Sequence, residues 1–338
     1  MNKGPKWACR LAEATDFVRN EFFVEDKTKE NPMTRSEQIT QFINKTQLGL
    51  EIAPWHSPIT PKKDGWNCLS VDIFDTDILR TRSQNDENLD PKLVENIEPV
   101  DIVGSASELE TLISARGQMG QFDYIISSHN FEHLPNPIKF LQACGKVLKV
   151  GGMLSMAIPD RRGTFDYFRP VSQMADWLRA YHQNQQQPDP YQIFAHHAVN
   201  ARYQGNIVFP QNIDPRGALA NTKLRAHYAA LQQQENQWKD DYADVHCSVF
   251  VPASFYLLMI ELQYLGLSPL GVIQITPTGG AEFFVHLKNI GVQLQIDEEK
   301  FHQLRNTLMH AVIDEVASNS AYSFSLRQAL AHEQAKKT

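Results

Sequence analysis

Apolar runs bounded by turn residues alternate with stretches of helical spacing from Leu48 to Pro159. That rhythm predicts βαβ units and a parallel sheet. The runs Leu48–Ala53, Cys68–Phe74, Val100–Val103, Phe122–Ser128 and Met153–Pro159 read as five successive strands. Between the last two, Asn136 caps a helix that Pro137 opens, and Ile138, Leu141, Cys144 and Leu148 form one apolar stripe along it. Gly151-Gly152 then stops the chain before the fifth strand. A right-handed crossover needs this order of strand, helix, turn and strand.

The rhythm breaks between Arg161 and Phe250. Glutamine runs, many aromatics and most of the mid-chain histidines collect there, so this stretch reads as an insertion. It resumes with Phe255, Leu258, Met259, Leu262 and Leu265 on one helical face, and Gly266 as terminator. Gly271–Ile275 and Glu282–Leu287 follow as strands, joined through Pro277-Thr278-Gly279-Gly280 as an antiparallel hairpin. Beyond Asp297, the spacing of Phe301, Leu304, Leu308 and Val312 predicts a helix with a frayed polar end past Arg327. Before Leu48 the chain is polar, with short helical patterns at Leu11–Ala14 and Ile39–Ile43, and reads as a capping arm. The expected class is α/β: a Rossmann-like, doubly wound sheet, mostly parallel, with a C-terminal antiparallel hairpin and a mainly helical insertion.

Charge removes one class of partner. With 32 Lys and Arg against 39 Asp and Glu, the net charge is -7. Such a surface does not draw in phosphate backbones, so no nucleic-acid partner is expected. The most apolar stretch, Val249–Leu267, is interrupted by Pro252, Ser254, Glu261 and Gln263, so no membrane span is expected either. No apolar signal core follows Met1, and Cys9, Cys68, Cys144 and Cys247 form no CxxC pair. These features predict buried thiols and a cytoplasmic protein.

In an open α/β sheet, ligands bind outside the carboxyl ends of the strands. The chemistry-bearing residues at those ends are Glu51, Asp72, Ser128, His129 and Asp160. An acid ending the second strand suits a ribose diol, because a carboxylate accepts both hydroxyl hydrogens. The geometry predicts a nucleoside-containing cofactor and leaves open whether it is a dinucleotide or S-adenosylmethionine.

The stretch Leu50–Pro54, the acid Asp72, the run Phe122–Pro135 and the turn Leu148–Leu154 together resemble a class I S-adenosylmethionine-dependent methyltransferase. Pro159–Pro170 further resembles a bacterial branch associated with glycan or small-molecule modification. The resemblance implies that S-adenosyl-L-methionine is the cofactor. It places Glu51 near the cofactor's amino end, Asp72 on the ribose hydroxyls, Ile73 on the adenine, and Ser105 and Ala106 at the adenine border. Ser128 and His129 face the methionine part and the substrate. Residues 48–160 become the cofactor-binding half, 161–250 a lid and substrate insertion, 251–290 the completion of the sheet, 291–338 a C-terminal helical segment, and 1–47 the N-terminal arm.

One departure concerns the first loop. The family's loop is rich in glycine, whereas Ala53, Pro54 and Trp55 stand here. Ala53 is small enough for close approach to the cofactor, and Pro54 removes a donor and stiffens the loop. A GxGxxG pyrophosphate turn is absent, which disfavours a nicotinamide enzyme.

Methyl transfer from a sulfonium needs alignment, and a hydroxyl acceptor also needs a base. The candidate bases are His129, Asp160, His197 and His246. The candidates for holding the substrate are Arg161, Arg162, Asp166, Tyr167 and His196, with Arg161, Arg162 and Arg169 suited to an anionic acceptor. His133 reads as a packing or capping residue. Neither His196-His197 nor Asp244-Val245-His246 has zinc-site spacing, so no metal is expected. The leading function is methylation of an oxygen or nitrogen on a small molecule or sugar. The alternatives are a methyltransferase fold that has lost turnover, suggested by the Pro54-Trp55 loop, and an RNA or protein methyltransferase. The N-terminal arm and C-terminal helix are the natural surfaces for a homodimer.

Overall fold

A computed structural model describes residues 33–87, 89–220, 223–236, 243–291 and 297–335. The helical pattern at Leu11–Ala14 lies outside them. Arg35–Thr40 form α1, opened by a capping box: Thr34 Oγ1 accepts from Glu37 N (3.3 Å) and Glu37 Oε2 from Thr34 N (2.8 Å). The sheet half then runs β1 (Gly49–Ile52), β2 (Cys68–Asp72), α2 (Thr76–Gln84), β3 (Ile102–Val103), α3 (Leu109–Ala115), β4 (Phe122–Ser128), α4 (Pro137–Val147) and β5 (Leu148–Pro159). The stretch that follows contains α5 (Met174–His182), α6 (Pro190–Ala198), the small ribbon β6 (Ala201–Tyr203) and β7 (Ala218–Ala220), and α7 (Leu224–Asn236). The chain returns through α8 (Pro252–Tyr264), β8 (Leu270–Pro277) and β9 (Glu282–Asn289), and ends in α9 (Glu298–Ser318) and α10 (Ala321–Ala335).

Seven strands form one sheet in the order β3-β2-β1-β4-β5-β9-β8. The first five pair in parallel, and β9 lies antiparallel to both β5 and β8. This is the expected mostly parallel, Rossmann-like sheet with an antiparallel hairpin. Two boundaries differ from the sequence reading. Leu148 opens β5 instead of ending the helix, because Leu148 pairs with Phe122 and the two glycines are absorbed in a register irregularity. Gly151 there takes a left-handed φ of 91°, which a glycine adopts without cost. The tail beyond Arg327 continues as helix to Ala335, where fraying was expected.

Side chains alternate across the sheet and divide the core in two. Leu50, Ile125, Leu154, Met156, Phe283 and Val285 pack on one face beneath α3, α4, α8 and α9. The other face is thinner: Tyr124, Ile126, Met153, Ala157 and Phe284 meet Ile39 of α1 and Ile59 of the loop after β1. Gly49 allows β1 and β4 to lie this close, since a Cβ there would come 1.9 Å from the Tyr124 ring. Cys68 and Cys144 are buried free thiols; Cys247 is only half-buried, short of the full burial expected of it. No helix among the described residues is long and apolar enough to cross a membrane.

Candidate active site

A cavity of about 360 Å³ opens at the carboxyl ends of β1 to β4. Its walls include Ile52, Ala53, Asp72, Ile73, Gly104, Ser105, Ala106, Asn130 and His133. Gln186, Gln187, Pro188 and Ala243 border it from the segment after β5. The volume falls in the range of small-molecule sites, roughly 300–1,000 Å³. Five of the residues expected to hold a cofactor therefore share one wall system: Ala53, Asp72, Ile73, Ser105 and Ala106.

Asp72 is the charged group of that wall. It is buried, and its Oδ1 accepts from Phe74 N at 3.0 Å. Burial raises its pKa, against the pull of the Phe74 and Ile73 amides and the Arg82 charge. Hydroxyl hydrogens from a ligand would relieve that desolvation. Ala53 and Trp55 carry the loop in the left-handed region, with φ of 49° and 43°. Non-glycine residues held there cost about 1–2 kcal/mol each, and such strain collects at functional sites. The bulky Trp55 stays out of the cavity lining: its Nε1 donates to Ser83 Oγ on α2 at 2.7 Å. The loop thus keeps the space open without glycines, and the walls fit a nucleoside carrying a diol. Pro54 does not line the cavity.

Glu51 does not line it either. Both carboxylate oxygens turn to the loop after β1, where Oε1 accepts from Ile59 N (2.6 Å) and Oε2 from Thr60 N (2.9 Å) and Thr60 Oγ1 (2.6 Å). Burial raises its pKa, and the loop donors act in the opposite direction. Its position is that of a loop anchor.

Ser128 and His129 lie on the hairpin side of the sheet instead of the cavity side. Arg35 of α1 donates through Nη2 to Ser128 Oγ (2.8 Å) and grips Glu282 of β9 through Nε and Nη2 (2.8 and 2.9 Å). His129 Nε2 meets Glu282 Oε2 at 2.9 Å, and Nδ1 stands 3.5 Å from Glu132 Oε1. These groups form a clamp joining α1, the end of β4 and the hairpin. Burial alone would lower the His129 pKa, but Glu132 and Glu282 together lift it to about 9. At that value the imidazole carries a proton at neutral pH, which counts against His129 as the base.

The sign of that shift sets a pH test. A histidine whose folded pKa is raised contributes stability that is complete below its ordinary value near 6.5 and fades as pH rises through 9. Replacing His129 by Gln should lower the melting temperature most near pH 6 and least above pH 9, measured by thermal denaturation across that range. A penalty that grows with pH would contradict the clamp.

The remaining predicted residues divide between structural pairs and one buried network. Asp160 is fully buried and bound to Arg162 through Nε (2.9 Å) and Nη2 (2.6 Å), so neither is free for an acceptor. Tyr167 Oη donates to Asn319 O at 2.7 Å, tying its ring to the C-terminal helices. Arg161 donates to Tyr167 O, and burial lowers its pKa. His197 is exposed and stacks on His227, with centroids 5.6 Å apart. Asp166, His196 and His246, by contrast, converge. His246 Nδ1 meets Asp166 Oδ2 at 2.5 Å, Arg169 Nη1 donates to Asp166 Oδ1 at 2.8 Å, and His246 N donates to His196 Nδ1 at 3.0 Å. Despite burial, His246 and Arg169 hold the Asp166 pKa down to about 2, and burial pushes His196 down to about 3, leaving it neutral.

Two further members of the network were not singled out as chemical by the sequence. Glu132 is buried against His129, His133 and His246, and its pKa is lowered by them despite burial. His133 joins the network to the cavity, whose wall it forms. The run Ser128–Leu134 carried a signal for both, as an acid and two histidines directly after a central strand.

The sequence model of a family described as "Methyltransferase domain" matches residues 48–264. No curated protein matches the chain. A SAM-dependent methyltransferase structure from Aquifex aeolicus is 10% identical, with a TM-score of 0.38, covering 75% of this chain and 89% of its own. An S-adenosylmethionine-dependent methyltransferase from Mesorhizobium loti is 9% identical, with a TM-score of 0.39, covering 75% of this chain and 97% of its own.

Proposed function

Since the chain belongs to the methyltransferase-domain family and is a methyltransferase that uses S-adenosylmethionine, we propose that its acceptor is an oxygen or nitrogen of a small molecule or sugar. The observation that carries this reading is the cavity at the strand ends, bordered by Gln186, Gln187, Pro188 and Ala243 of the segment after β5. A bordered pocket admits a small acceptor more readily than a polymer. The net charge of -7 gives no pull on RNA. We assign residues 161–250 as the substrate lid and residues 48–160 as the cofactor half.

When bound, S-adenosylmethionine supplies a methyl group on a sulfonium. Asp72 would accept hydrogen bonds from the ribose hydroxyls, Ile73 and Ala106 would pack on the adenine, and the Ala53 turn would set the approach of the backbone. Alignment in the cavity supplies much of the acceleration. At neutral pH the cationic His129 takes no part as a base.

Trp55 held aside on Ser83 leaves the cavity open, which supports turnover over a fold that has lost it. Incubating the protein with methyl-labelled cofactor and a fractionated cell extract tests the acceptor class. Label should enter the small-molecule fraction. Label confined to RNA or protein would overturn the reading.

A further inference from the structure

We propose that Glu132, His133 and His246 bind one divalent first-row transition-metal ion of the zinc class. No local spacing predicts a metal there, since Glu132 and His133 follow β4 whereas His246 precedes α8. Backbone bonds bring the two segments together: Cys247 N and Ser248 N both donate to Glu132 O, at 2.7 and 3.0 Å. The juxtaposition is therefore held by the fold and not by the side chains that would ligate.

Three observations point to an ion. The first is an orphan within the ligating carboxylate: Glu132 is 1% exposed, its Oε2 is buried without a hydrogen-bond partner, and its other oxygen, Oε1, faces the histidines. An unpaired carboxylate oxygen in the interior is costly and rare. The second is spacing. Glu132 Oε1 stands 3.7 Å from His133 Nε2 and 3.9 Å from His246 Nε2, and one ligand atom from each residue lies within 4.8 Å of the others. Those separations are too long for hydrogen bonds, which need about 2.7–3.2 Å. Two ligands sharing an ion at bonds of about 2.0–2.2 Å stand roughly 3–3.5 Å apart, so small side-chain shifts close the set.

The third is the outer layer. Asp166 holds His246 by Nδ1, which fixes the tautomer and turns the Nε2 lone pair toward Glu132. Arg169 in turn holds Asp166. Asp244 Oδ1 approaches His133 Nδ1 at 3.0 Å, off the line of a well-formed hydrogen bond, and again leaves Nε2 facing Glu132. A carboxylate behind each ligating histidine is the usual support of a metal site. His129 is not counted as a ligand, because the set whose ligand atoms all lie within 4.8 Å of one another is Glu132, His133 and His246. Two imidazoles and one carboxylate suit zinc, manganese or ferrous iron, and suit magnesium poorly.

The charge of the cluster gives the same direction. Glu132, Asp166 and Asp244 bring three negative charges against Arg169 and the His129 cation, so the cluster is net negative. A net negative cluster favours a cation; proton uptake is the competing state the test must separate.

Full-length protein stripped by chelator should bind one Zn²⁺ per chain by calorimetry and elemental analysis, and Co²⁺ should give a visible absorption spectrum. His246→Ala and Glu132→Gln should lose the stoichiometric ion. His133→Asn, changing a partly exposed side chain, should weaken binding at least tenfold and alter the Co²⁺ spectrum while the circular dichroism stays native. Asp166→Asn should weaken binding by about 10–100-fold while keeping all three ligands. Binding by the stripped wild type that equals that of folded His133→Asn, or no binding at all, would overturn the site. The measurement uses neither cofactor nor acceptor. The methyl-acceptor reading can therefore fail while the ion binds, or stand while it does not. That the ion adjoins the acceptor space, through His133, does rest on that reading.

Discussion

Replacing Asp72 with alanine should weaken S-adenosylmethionine binding by about 30–1,000-fold while the protein stays folded. The carboxylate ends β2, where Asp72 pairs in register with Val103, so backbone and not rotamer choice fixes its position on the cavity wall. One oxygen already serves the Phe74 amide. A ribose diol would donate two charge-assisted hydrogen bonds. Such bonds contribute roughly 1.5–3 kcal/mol each, and part of the total is offset by the desolvation of the ligand's hydroxyls. A net loss of about 2–4 kcal/mol follows, and each 1.4 kcal/mol is tenfold in affinity. The unliganded protein loses one backbone acceptor but also a desolvated charge, so its melting temperature should move little. Asp72→Asn keeps an acceptor for Phe74 and should fall between. Calorimetry with S-adenosylmethionine and S-adenosylhomocysteine measures the series. Unchanged affinity in Asp72→Ala would remove the cavity from the cofactor.

Glu51→Ala should instead act on stability, lowering it by about 3–5 kcal/mol. The side chain is buried and accepts three hydrogen bonds from Ile59 and Thr60. Its removal strands two backbone amides and a hydroxyl in the interior, at about 1–3 kcal/mol for each group that finds no water. At about 2–4 °C in melting temperature for each kcal/mol, the drop should be about 6–20 °C. Urea denaturation of wild type and variant measures it directly. A variant as stable as wild type but unable to bind cofactor would return Glu51 to the ligand side. The contrast is the useful part: two acids ending neighbouring strands, one expected to move affinity and the other stability.

Much of the sheet was legible because parallel strands buried on both faces read as short continuous apolar runs. Asp72 was legible for a related reason: its role follows from its place at a strand end. Glu51 occupies an equivalent place, and there position was not enough. Its direction depends on where the loop amides of Ile59 and Thr60 come to lie. His129 shows a second limit. A histidine after a central strand looks like a base until Glu282, from a hairpin far along the chain, is seen to hold it charged. The Asp160–Arg162 and Asp166–Arg169 pairs hid for the same reason, since arginines near a strand end read as anion binders until their partners are known. The Glu132 network combines residues from opposite ends of the inserted segment, a closeness that no local spacing encodes.

The place of β9 in the sheet bears on how the chain is made. Strand β5 lies between β4, which precedes it, and β9, which is synthesised only after the whole inserted segment and α8. Until β9 emerges from the ribosome, β5 presents an open edge that is apolar along most of its length. Pairing across so long a separation closes slowly. A nascent chain paused within the insertion is therefore the species most exposed to sticking to its neighbours, and chaperone demand should peak there.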